Sequence, residues 1–131
     1  MISVSITPLY VGFTALIMLV LSLRVSSMRV KHRVSLGDGG KGDVGIVIRG
    51  FGNLIEYAPI ILVMLFLMEI QGVAAYWLHA YGGAFIIARI VHPLALFDGR
   101  GAPKWKRLSR QGAATVTLVL LLVGAIVLLL P

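Results

Sequence analysis

The sequence predicts an all-α integral membrane protein, a bundle of four transmembrane helices. Three observations carry that expectation. Of the 131 residues, 59% are apolar and only 13% are charged, about half the charged share of a soluble domain. The apolar residues gather in four runs, roughly 2–23, 46–68, 73–96 and 111–130. Each approaches the ~20 residues that a helix needs to cross about 30 Å of hydrocarbon. The basic residues fall in the gaps between the runs, where they orient a membrane protein instead of tracking a nucleic-acid backbone.

The helices are expected over about 2–27, 46–70, 73–97 and 110–130, in a single membrane domain covering residues 1–131. The first run lacks a basic leader and a small-residue cleavage site, so it reads as a retained helix and not a signal peptide. The second run carries most of the polar residues. The third holds one basic residue, Arg89, and ends near His92 and Pro93. The fourth is almost uniform leucine and valine and is expected to face lipid along much of its surface. Tyr76 with Trp77, and Trp105 between Lys104 and Lys106, are placed as interfacial anchors.

The connections differ sharply in charge. Arg24, Arg29, Lys31, Arg33, Lys41 and Arg49 follow the first run, and Arg100, Lys104, Lys106, Arg107 and Arg110 precede the fourth. The short link from Glu69 to Tyr76 has no Lys or Arg. By the positive-inside rule, both basic loops are cytoplasmic and both termini lie on the opposite side. Gly37-Asp38-Gly39-Gly40 and Gly42-Asp43 read as turns, as do Gly99, Gly101 and Pro103. The aspartates are taken as turn formers. With no cysteine and only three scattered histidines, no metal site is expected.

Arg49, Asn53 and Glu56 lie at i, i+4 and i+7 and fall within roughly 60° of one another on a helix. Tyr57 extends the same sector. Ionisable groups at membrane depth are costly to bury and mark functional sites. Glu56 lies about 10 Å beyond Arg49 along the axis, which argues against a direct pair. A purely structural alternative has Arg49 reaching the headgroups while Glu56 pairs with Arg89 inside the bundle. Asn53 then serves as interhelical glue. Pro59 and Pro93 free the carbonyls of Ile55 and Arg89 beside this polar face.

The pattern Arg49-x3-Asn53-x2-Glu56-Tyr57-x-Pro59 resembles the signature of the MAPEG proteins, the membrane-associated proteins in eicosanoid and glutathione metabolism. Ala88-Arg89-Ile90 with His92 is similar to that family's third-helix motif, and Arg33-Val34-Ser35-Leu36-Gly37-Asp38-Gly39-Gly40 resembles its small bacterial members. The resemblance implies a homotrimer in a bacterial inner membrane, with glutathione in clefts between subunits near the basic loops. It implies glutathione contacts from Arg49, Asn53, Glu56, Tyr57 and Arg89, with Arg29 added from the end of the first helix. A tripeptide with two carboxylates and one ammonium needs arginines and a carboxylate, and an amide such as Asn53 both donates and accepts.

The implied activity is a glutathione transferase or peroxidase that acts on lipophilic electrophiles or lipid hydroperoxides through a glutathione thiolate. His92 and Leu96 stand where family members carry tyrosines, and no arginine aligns with the thiol-activating one. His92 and Arg110 are the candidates for that role. Two alternatives stay open: a catalytically silent glutathione- or lipid-binding protein, and a small transporter or proton relay using Glu56, Arg89 and His92. The expected partners are glutathione, a lipophilic second substrate, membrane lipid and further copies of the chain, with no nucleic acid and no metal.

Overall fold

The computed structural model describes residues 4–96 and 103–130. Four helices follow in order: α1 (Ile6–His32), α2 (Gly42–Ile70), α3 (Ala75–Leu94) and α4 (Lys104–Leu129). There is no strand among the described residues. The all-helical architecture expected from the four apolar runs is therefore present. Residues 1–3, 97–102 and 131 lie outside the described residues, and with them Gly99, Arg100, Gly101 and the last position expected for the third helix.

The helix limits differ from those read from the sequence in an instructive way. α1 continues through Arg29 and Lys31 to His32, and α4 opens at Lys104. The apolar runs mark where hydrocarbon would lie, whereas a helix stops where its hydrogen bonding stops. Lys and Arg are good helix formers, so the basic residues extend the helices. α1 ends on Arg33 in the left-handed region, with Arg33 and Val34 N–H groups donating to Val30 and Arg29 carbonyls. This closure satisfies the last carbonyls. Gly37, Gly39 and Gly40 then adopt positive φ and turn the chain into α2.

α1, α2 and α4 are each long and apolar enough to cross a membrane, which makes this a multi-pass membrane protein. α3, at 20 residues, is also about 30 Å long but carries Tyr81, Arg89 and His92 on its buried face. It packs against all three other helices, while α1 and α4 do not touch among the described residues. The α2–α3 pair is therefore the centre, with α1 and α4 on either side. Leu54, Ile61, Leu65, Tyr81 and Phe85 form much of the core.

Close approach relies on small residues, as in other membrane bundles. A Cβ at Gly82 would lie 2.5 Å from the Tyr10 ring, and one at Gly124 would lie 2.7 Å from the Tyr81 hydroxyl. The Tyr81 hydroxyl donates to the Leu120 carbonyl at 3.0 Å. α4 is thus less uniform than its leucine and valine suggest: Ala113, Thr117, Leu120 and Gly124 form its buried stripe.

Glu69 ties the end of α2 to the start of α1. Its Oε1 accepts the N–H groups of Ser5 and Ile6, and its Oε2 accepts that of Thr7, all at 2.7 Å. Ser5 gives α1 no side-chain cap, so a carboxylate from the far end of α2 fills that role. Anionic oxygen at a helix N-terminus meets both unpaired donors and a favourable dipole.

Candidate functional site

The polar residues of α2 divide between two environments. Asn53 is buried on the face that packs against α3, whereas Arg49 and Glu56 remain exposed on the flank. Sixty degrees of arc is enough to separate them. Tyr57 is half-buried between the two.

On the flank, Arg49 Nη1 donates to Glu56 Oε1 at 3.1 Å. The axial separation between the two backbones did not prevent a direct pair, contrary to the sequence expectation. Glu56 leans toward the N-terminus, as helical side chains do. The long arginine stem covers the remaining distance, and Gly52 between them presents no side chain. With relative exposures of 61% and 48%, this pair contributes only about 0–1 kcal/mol. A ligand can therefore separate it at little cost.

The pair lines a groove of about 560 Å³ with Arg29, Asp38, Gly45, Ile48 and Gly52. That size lies within the range of small-molecule sites. Arg29 comes from the end of α1, and its buried Nε has no hydrogen-bond partner among the described residues. Asp38 closes a turn by accepting the Gly40 N–H at 2.9 Å, as its turn-forming role predicts. It also lines the groove, which the sequence reading did not anticipate. Nearby, His32 Nε2 lies 3.9 Å from Asp43 Oδ2, across the junction of α1 and α2. The groove therefore presents two cations and two carboxylates.

Inside the bundle, Arg89 does not pair with Glu56. Its guanidinium donates to the Asn53 carbonyl at 3.3 Å, to Asn53 Oδ1 and to Thr117 Oγ1. Thr117 in turn donates to the Ala113 carbonyl at 2.9 Å. Arg89 also sits 5.8 Å from the Tyr57 ring centroid and 5.6 Å from that of Phe85. It is 2% exposed and ties α3 to α2 and α4. Glu56 points to the flank, out of its reach, so neutral acceptors replace the expected carboxylate. A charge within the membrane costs up to about 2.5–3.5 kcal/mol on insertion scales, and each hydrogen bond to a charged group returns about 1.5–3 kcal/mol.

Thr117 escaped the sequence reading, although a threonine within leucine and valine was the available signal. Glu69 also escaped it; the signal was a lone acid at the end of a span, facing an uncapped first helix. His92 is buried on α3. Neither His92 nor Arg110 lines the groove. No group of His, Asp or Glu suited to a metal ion occurs among the described residues. Of the six residues expected at one site, the structure brings Arg29, Arg49 and Glu56 to the groove. Asn53 and Arg89 are bonded to each other behind it, with Tyr57 alongside.

A family model described as the MAPEG family matches residues 7–130, and the chain belongs to that family. It is 33% identical over 87 residues to Inner membrane protein YecN of Escherichia coli strain K12, covering 66% of each chain. The same identity and coverage relate it to the protein of that name in Escherichia coli O6:H1. The match thus spans just under two thirds of these relatives' length. No solved structure gives a significant match.

Proposed function

We propose that this protein binds glutathione at the Arg29–Arg49–Glu56 groove and transfers it to lipophilic electrophiles as a homotrimeric membrane transferase. The observation that supports this reading is the charge set of the groove: two arginines and two carboxylates, one of the arginines holding an unpartnered donor. Arg29 and Arg49 would each take one carboxylate of the tripeptide, while Glu56 or Asp38 would take its ammonium. The exposed Arg49–Glu56 pair opens to admit the ligand, each partner exchanging one ion pair for another. Asn53 and Tyr57 stand behind this face, and Arg89 holds Asn53 in place rather than touching the ligand.

The chemistry is thiolate attack. A free thiol with a pKa of about 8.5 is only a few per cent ionised at pH 7, and a neighbouring cation that lowers it by two units supplies about 2.7 kcal/mol. The thiolate sulfur forms a bond to the electrophilic carbon as the leaving group departs with its electron pair. A hydroperoxide would be cleaved at its O–O bond instead, with a second glutathione completing the disulfide. The lipophilic substrate enters from the bilayer. The naming of the relatives as inner membrane proteins supports the same location here, and the positive-inside rule puts the basic ends on the cytoplasmic side.

Thermal unfolding of the detergent-solubilised protein tests binding, because a ligand that binds only the folded state raises the midpoint. Millimolar glutathione is expected to raise it, and Arg49→Ala or Glu56→Ala to abolish the rise. A rise retained in either variant would rule out this groove. Conjugation to a reactive aryl halide then tests the transferase. A silent binder remains the second reading, favoured by the absence of His92 and Arg110 from the groove lining. It predicts the thermal rise without thiolate absorbance or product.

A further inference from the structure

Arg89 bears a charge that no carboxylate balances among the described residues, where the ion pairs join His32 to Asp43 and Arg49 to Glu56. Its acceptors are the neutral Asn53 and Thr117, and its buried Nε has no hydrogen-bond partner among the described residues. A guanidinium carries five donors, so capacity is left over. Arg89 lines a groove of about 280 Å³ between α1 and α3. Its other walls include Leu16, Val20, Leu21, Ile90 and Leu94, and Arg24 stands among them. Arg24 has no hydrogen-bond or ion-pair partner among the described residues. It also ends the apolar run of α1, at the depth where headgroups begin.

We propose that this groove holds an anionic phospholipid of the surrounding bilayer, its phosphate between Arg24 and Arg89 and one acyl chain along the apolar wall. Two cations with no acid among the described lining residues suit a net negative head and leave an ammonium without an acceptor. Basic pockets between membrane helices recognise anionic lipid heads in this way. The groove shares no lining residue with the Arg29–Arg49–Glu56 groove, so the two sites stand or fall separately.

The test is thermal unfolding of the full, detergent-solubilised chain with added dioleoyl phosphatidylglycerol or dioleoyl phosphatidylcholine. The anionic lipid is expected to raise the midpoint by several degrees and the zwitterionic lipid to leave it unchanged. Arg24→Gln removes the anionic-lipid shift by deleting the head contact, and Val20→Trp removes it by filling the chain slot. Lys104→Gln with Lys106→Gln keeps it, and Arg24→Gln leaves the response to glutathione as it was. Equal shifts for the two lipids, no shift, or a shift that survives Arg24→Gln or Val20→Trp would overturn the proposal. So would loss of the shift in the lysine double variant, which would assign it to diffuse surface charge.

Discussion

At the scale of single residues, the deciding fact is which partner each arginine found. Arg49 took Glu56 on the surface, and Arg89 took Asn53 and Thr117 inside. These bonds differ in what their loss costs. Truncating an exposed partner releases groups that water can solvate, so Arg49→Ala is expected to leave the unfolding midpoint without glutathione nearly unchanged. Thr117→Val instead strands a buried donor of Arg89 and is predicted to cost about 1–3 kcal/mol, read from chemical or thermal unfolding. Thr117→Ser keeps an oxygen and should recover most of it. Equal stability of the valine variant and the parent would mean that Thr117 does not support Arg89. The motif positions 49, 53 and 56 were legible in the sequence. Their division between flank and core was not, because helical periodicity gives a direction but not the neighbour that fills it.

At the scale of elements, two devices hold the bundle in register at the end away from the basic residues. Glu69 caps α1 from α2 with three N–H bonds. Glu69→Ala removes the acceptor of all three bonds and is predicted to destabilise by about 1–3 kcal/mol, with faster amide exchange at residues 5–7. Exchange unchanged there would show that water replaces the carboxylate without loss. The second device is the contact of the Tyr10 ring with Gly82, beside the Tyr10 hydroxyl bond to the His79 carbonyl at 3.0 Å. Gly82→Ala puts a methyl where the ring lies and should force α1 from α3. A drop in the unfolding midpoint checks this, and the companion change Tyr10→Leu is expected to reduce the penalty. The number and order of helices were legible, since runs of ~20 apolar residues have few other uses. The ends of α2 and α4 away from the basic residues were legible as well, at 70 and 129 against the expected 70 and 130; the basic ends were not, because charge stops a span without stopping a helix.

At the scale of the whole molecule, the short α2–α3 link and the Glu69 cap place the N-terminus of α1 beside the C-terminus of α2. The basic ends of α1, α2, α3 and α4 therefore gather on one side, with both candidate ligand grooves near that side. Leu16, Leu19, Val20 and Leu23 on α1, and Leu118 and Leu122 on α4, remain exposed, as surfaces for lipid or for neighbouring copies. If glutathione sits between subunits, as the family resemblance implies, native mass measurement of the solubilised protein should give three copies. A monomer that keeps its glutathione response would place the whole site within one chain.

The sequence alone determined that this chain crosses a membrane as helices, because backbone groups in hydrocarbon must be satisfied within each segment. It also carried the family signature in α2. Only the tertiary structure decided which polar groups meet: Arg89 with Thr117 across 28 positions, and Glu69 with Thr7 across 62. Such pairings depend on which helices lie side by side and on how far each is turned and shifted along its axis. Those quantities are set by the fit of small residues such as Gly82 and Gly124, which hydrophobic patterning does not encode.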